Sequence, residues 1–184
     1  VVRDEPDALE RAFATAAQNA DVVITSGGTA RGPVDHVHPV LSQLGARLLV
    51  DGVAVRPGHP MLLAQHGGTR HHRRFVAGLP GNPLAAVAGF VTLVRPLLRR
   101  LSGLDGPGPG TPSRFLPLGD AVRTHPTDTR LVPVSVTDAH ATPLRFTGPA
   151  MLRGLALADG LAVVPPGGGV VALGAGQRVE VLAV

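Results

Sequence analysis

Asp21-Val22-Val23-Ile24-Thr25-Ser26-Gly27-Gly28-Thr29 is the stretch on which the fold turns. Residues 22–25 form a short, nearly continuous apolar run. Such a run suits a strand buried on both faces, the habit of parallel sheets. Ser26 to Gly32 then reads as a glycine-rich turn. A helix is expected from Asp35 to Leu44, with Pro39 near its first turn and Gly45 past its end. Upstream, Asp7 to Asn19 reads as a helix that Asp7 caps, with Glu10 completing a capping box. Leu9, Ala12, Phe13 and Ala16 fall on one face of it. A strand between two amphipathic helices predicts an α/β class.

Moving outward, Arg47–Val50, Val53–Val55, Met61–Gln65 and Phe75–Ala77 are strand candidates. Gly67 to Arg74 reads as an exposed, basic hairpin loop, and Gly78 to Pro83 as a rigid turn. Leu84 to Leu101 is the longest helix. Pro96 inside it should kink or divide it, and Gly103 should cap it. Residues 104–113, rich in Gly and Pro, read as a linker. After it come short strands at Phe115–Val122, Arg130–Val136, Leu161–Val164 and Val179–Val184, with a helical turn or two in Ala150–Ala158. The expected organisation is an α/β domain over 1–103 and a small β domain over 114–184.

Composition narrows the chemistry. Cysteine is absent, which excludes disulfides, thiolate metal sites and cysteine nucleophiles. All 17 basic residues are Arg, so Schiff-base and Walker-type lysine chemistry is excluded too. Trp and Tyr are missing, which argues against a base-stacking platform. The net charge of +4 is carried on scattered arginines, which fits a small anionic ligand and no nucleic-acid partner. No apolar run reaches ~18 residues, so no membrane span is expected. No signal peptide is visible, which points to the cytoplasm. The chain opens on Val1 and runs almost at once into a helix, so sequence is expected to precede it.

Three loops carry candidate chemistry. Thr25-Ser26-Gly27-Gly28 ends a strand, where an open α/β sheet places its ligand crevice. Its glycines let backbone N–H groups approach an anion, and its hydroxyls add donors. The bland alternative is a tight strand–helix turn. Gly78-Leu79-Pro80-Gly81-Asn82-Pro83 repeats the arrangement after another strand, with a rigid connector as its alternative. Arg56-Pro57-Gly58-His59-Pro60 offers a guanidinium that can fork onto phosphate, or a solvated arginine on a β-turn. Asp35 is the carboxylate near the first turn. It can take one contact to Mg²⁺, or cap the helix. His36 and His38, and His71 with His72, read as solvated side chains, because i and i+2 do not share a helix face.

In this order the segments resemble the molybdopterin molybdenumtransferase family, which includes the gephyrin E-domain. Asp21 to Asp35 looks like its Thr-Ser-Gly-Gly element with a later Gly-x-x-Asp. Arg56 to Pro60 looks like its Lys-Pro-Gly-x-Pro turn. Gly78 to Ala86 looks like its Leu-Pro-Gly-Asn-Pro-x-Ser-Ala signature. Gly148 to Pro165 and Gly174 to Val179 resemble its C-terminal run. The resemblance implies a three-layer α/β/α molybdopterin-binding domain lacking its first strand, followed by a small β-barrel-like domain. It implies insertion of molybdate into adenylylated molybdopterin with Mg²⁺-assisted release of AMP. Thr25, Ser26, Gly27, Gly28, Arg56, Gly58, Pro80, Gly81, Asn82 and Pro83 would be ligand-binding, and Asp35 catalytic and metal-holding. The family also implies two further N-terminal domains and a homodimer.

The chain departs from the pattern at named places. Ala30 and Ala85 stand for serines, Pro33 for an acidic residue, Arg56 and His59 for lysines, and Pro149 for the serine after Gly148. Each removes a donor, a carboxylate or a lysine. The alternative function is therefore a molybdopterin- or nucleotide-binding module without turnover, in a regulatory or scaffolding role.

Overall fold

A computed structural model describes residues 2, 5–30, 32, 35–68, 73–104, 113–145, 148, 150–168 and 172–184. In chain order the elements are α1 (Pro6–Asn19), β1 (Val22–Ser26), α2 (Val37–Gln43), β2 (Arg47–Asp51), β3 (Val55–Arg56), β4 (Leu62–Gly68) and β5 (Arg73–Leu79). Then follow α3 (Pro83–Gly89), a π-helical turn (Phe90–Val94), α4 (Arg95–Leu101), β6 (Ser113–Pro117), β7 (Val122–Arg123), β8 (Thr129–Thr137) and β9 (His140–Pro143). The last are α5 (Leu152–Ala156), β10 (Gly160–Val164), β11 (Ala172–Leu173) and β12 (Arg178–Ala183). These form two compact units, Val1–Val53 with Pro60–Asn82, and Ala54–His59 with Pro83–Val184. The expected positions 33, 71, 72 and 149, and most of the 104–113 stretch, lie outside the described residues.

The first unit is a sheet of order β1-β5-β4-β2. β1 runs parallel to β5, whereas β4 is antiparallel to both its neighbours. Phe13 of α1, Val37, Val40 and Leu41 of α2, and Leu62, Ala64 and Val76 of the sheet form one buried cluster. That burial, more than propensity, keeps the seven-residue α2 helical. α2 ends as expected at Gly45, whose φ of 64° lets its N–H and that of Ala46 reach Ser42 and Leu41 carbonyls.

Three expectations change here. Burial on both faces belongs to β5, not β1, because β5 is interior while β1 is an edge strand among the described residues; Ile24 is 43% exposed. Pro6 starts α1 and no side chain caps it, so Asp7 lies inside the first turn and the Asp7–Glu10 capping box does not form. His38 is not merely solvated: its Nε2 lies 2.8 Å from Asp51 Oδ1, and its Nδ1 is buried without a partner.

In the second unit the main sheet has the order β3-β8-β10-β12-β6, with β9 also on β8. Alternate residues of β8, β10 and β12 (Val132, Val134, Ala162, Val164, Val179, Val181) build its core, and β8 and β10 are buried on their other face too, at Leu131 and Leu161. The expected strand at Phe115–Val122 is broken. β6 stops at Pro117, and Leu118 and Gly119 turn to bond Gln177 and Ala141 carbonyls. An isolated bridge links Leu118, just past β6, to Ala141 of β9, and among the described residues no ladder closes the sheet into the expected barrel. The 53–55 strand shifts to Val55–Arg56 because its parallel partner is β8, with Arg56 beside Arg130.

The predicted division at Pro96 takes an unusual form. Pro96 has no N–H for the Thr92 carbonyl, and its ring would press on that group. The helix widens into the π-turn before it, with Arg95 N–H reaching back to Phe90. Gly103, at φ 71°, closes α4 as expected, with Leu104 N–H on the Arg99 carbonyl.

Asp128 ties β3 to β8. Arg56 Nε donates to its Oδ2 at 2.6 Å, and the Thr127 hydroxyl donates to its Oδ1 at 2.9 Å. The Arg56 bond first, then that of Thr127, holds the Asp128 carboxyl below its ordinary 3.8, against the opposing effect of burial. A depressed folded pKa gives stability that is present above the unfolded value and lost as pH falls through the folded one. Thermal melts should therefore show Asp128→Asn less stable than wild type at neutral pH, with the gap closing below about pH 3.8. A gap that persists at acid pH would refute this account of the pair.

Gly78 gives a second test. A Cβ there would lie 2.7 Å from Thr29 Cγ2 and 2.8 Å from Leu62 Cγ. Gly78→Ala should cost about 1–3 kcal/mol in urea unfolding, the usual cost of overpacking. A loss under about 0.5 kcal/mol would mean the neighbours give way freely.

Candidate functional site

In the first unit, parallel pairing brings two glycine turns side by side. Register runs from Val22 opposite Phe75 to Ser26 opposite Leu79, so both strands end together. The pairing continues one step beyond the strands: Gly27 N–H donates to the Leu79 carbonyl at 2.9 Å, and the Ser26 hydroxyl to that of Pro80 at 3.4 Å. Gly27 and Gly28 adopt φ of 91° and 67°, where side chains with a Cβ are strained. A Cβ on Gly81 would sit 3.5 Å from Gly27 Cα, so the two backbones face each other closely.

Between them lies a cleft of about 300 Å³ lined by Gly27, Gly28, Thr29, Ala30, Asp35, Pro60, Pro80, Gly81 and Asn82. Six sequence-predicted residues thus meet there: Gly27, Gly28, Asp35, Pro80, Gly81 and Asn82. None of the backbone hydrogen bonds among the described residues uses the amides of Gly28, Gly81 or Asn82. Unspent amides beside glycine turns are anion receptors. The Gly27 amide and Ser26 hydroxyl are already committed to the second turn, so they act as stitches. Thr25 lies one residue further into β1, and its Oγ1 is buried without a partner.

Asp35 does not cap α2. His36 occupies that position, and Asp35 closes the turn before it, accepting the Gly32 N–H on Oδ2 at 2.8 Å while its own N–H donates to the Gly32 carbonyl. No group of three His, Asp or Glu able to hold a metal exists among the described residues. The donor set therefore fits Mg²⁺ only as one carboxylate ligand, with water and ligand phosphate supplying the rest of the shell.

The remaining predicted residues belong to the second unit. Arg56 ends β3 with its side chain 60% exposed and its Nε on Asp128. Gly58 has φ of 121° in the turn that follows, and Pro83 is the first residue of α3. Sequence reasoning missed Thr29, which is 3% exposed and packs its methyl against Gly78. It also missed Asp128, whose only trace in sequence is a carboxylate between threonines.

Residues 1–100 match the family model of a probable molybdopterin binding domain, and residues 116–184 that of the MoeA C-terminal region (domain IV). The chain is 34% identical over 173 residues to molybdopterin molybdenumtransferase 2 of Mycobacterium tuberculosis, covering 90% of this chain and 40% of that protein. It is 39% identical over 104 residues to the molybdopterin molybdenumtransferase of Nostoc sp., covering 56% of this chain and 23% of that one. A crystal structure of a molybdopterin biosynthesis MoeA protein from Pyrococcus horikoshii aligns with all of this chain and 42% of its own, with a TM-score of 0.78 and 29% identity. The chain thus spans less than half the length of these relatives. With more than half of its residues inside the first family model and most of the rest inside the second, the chain belongs to the molybdopterin molybdenumtransferase (MoeA) family, of which it carries the molybdopterin-binding domain and domain IV.

Proposed function

We propose that the chain works in molybdenum cofactor biosynthesis, as the C-terminal part of a transferase that inserts molybdate into adenylylated molybdopterin and releases AMP. The observation that carries this reading is the cleft in which the Gly27–Gly28 and Pro80–Asn82 turns meet around Asp35. Its chemistry suits a phosphate-bearing ligand: free amides, no bulky side chain, and a carboxylate at the rim. The turns bind and orient, and cost no side-chain entropy in doing so. In this reading Thr25, Ser26, Gly27, Gly28, Pro80, Gly81, Asn82 and Pro83 form or frame the binding turns. Gly58 shapes the turn after Arg56, whose guanidinium contacts phosphate. Asp35 holds Mg²⁺ by one oxygen, and the metal when bound offsets charge on the phosphate and its leaving group. We keep the division at 104–113, the homodimer of the full-length protein and a cytoplasmic location as parts of the same proposal.

Release of AMP from adenylylated molybdopterin, with molybdate and Mg²⁺, by the full-length protein is the test. Asp35→Ala should lower that release at least about tenfold, as loss of a metal-holding carboxylate does. Unchanged release in that variant would remove Asp35 from the mechanism. A second reading has its own observation: Ala30 lines the cleft where the family pattern has a serine, and one Asp35 oxygen is spent on Gly32. Tight ligand binding without AMP release by the wild-type protein would favour a binding module over the transferase.

A further inference from the structure

Arg56 stands where the family turn carries lysine, and the two side chains differ in what they can hold at once. An ammonium is a single charged point, whereas a guanidinium has separate edges. Here Asp128 takes one edge, accepting from Nε at 2.6 Å. Among the described residues the Nη nitrogens of Arg56 have no hydrogen-bond partner, and the side chain is 60% exposed. The Asp128 side chain is only 12% exposed and is itself fixed. Thr127 hydroxyl bonds its Oδ1, and its own N–H donates to His125 Nδ1 at 3.0 Å. The Thr127 N–H donates to that same nitrogen at 3.3 Å. Arg130 lies beside Arg56 in register, with its Nη1 on the Arg123 carbonyl.

We propose that Asp128 of the β domain is a positioning residue for phosphate recognition, anchoring Arg56 through Nε so that its Nη edge meets a ligand phosphate. This rests on the reading of Arg56 as a phosphate contact. It explains why arginine serves at this position: with Asp128 present, a lysine would have to choose between carboxylate and ligand.

Calorimetric titration of the full chain with adenosine monophosphate at neutral pH tests it. Arg56→Ala and Asp128→Asn should each weaken binding about tenfold, the scale of a lost charge-assisted pair. The double variant should bind no more weakly than Arg56→Ala alone, because Asp128 acts through Arg56. An equal further loss in the Arg56→Ala background would mark a general structural effect and overturn the inference. So would unchanged affinity in Asp128→Asn while Arg56→Ala weakens binding; that outcome leaves Arg56 as a ligand residue. Unchanged affinity in Arg56→Ala would instead remove the phosphate reading of Arg56, and this inference with it. Should Asp128→Asn fail to fold, Arg56→Lys carries the test. It keeps the charge and Asp128, and a loss of about tenfold supports the anchoring role, while wild-type affinity refutes it.

Discussion

The hydrogen bond from Gly27 to the Leu79 carbonyl is the constraint on which the site depends. It extends a parallel strand pair by one rung past the point where both chains turn. Parallel register makes the two strands end at the same level, so two turns far apart in sequence become the two walls of one cleft. Slip the register by one residue and Gly27 no longer faces Gly81, while every side chain of β1 changes face. The site is thus a property of sheet geometry first and of side chains second.

Small residues make that geometry reachable. Gly78 admits the Thr29 methyl and the Leu62 side chain, Gly81 admits the Gly27 backbone, and Gly28 lies close to a Val37 methyl. The cleft floor is therefore continuous with the core through Leu62 and Val37, both in the cluster that holds α1 and α2 to the sheet. The cleft turns rest directly on core side chains, which limits how far they can relax without loosening the unit. A floor of backbone amides is also preorganised, because it carries no side-chain freedom of its own.

Much of this was legible in the sequence because it rests on local signals. Apolar runs ending in glycine marked β1 and β5, Gly45 and Gly103 marked helix ends, and Pro96 marked the break in the long helix. The family motifs then gave the expectation that the two turns share one ligand. What was not legible depends on partners distant along the chain. Val53–Val55 is as apolar as a strand of the first sheet, yet the strand that forms is Val55–Arg56, and it pairs with β8. β7, β9 and β11 are too short to show periodicity and exist because a neighbour completes them. Asp7 looked like a cap until Pro6 began the helix. Asp35 looked like a cap as well, but its carboxylate closes a turn on Gly32. The engagement of Arg56 by Asp128 crosses 72 positions and leaves no pattern that spacing can reveal.

The π-turn at Phe90–Val94 has a geometric consequence of its own. One extra residue in a turn advances everything after it by about 100° around the axis, given 3.6 residues per α-helical turn. α3 buries Leu84, Ala85, Ala88 and Gly89, whereas α4, on the far side of the break, buries none of its residues. Pro96 and the wide turn together work as a fixed swivel. One rod of helix serves as interior wall in its first half and as outer surface in its second, with no loop spent on the change of role.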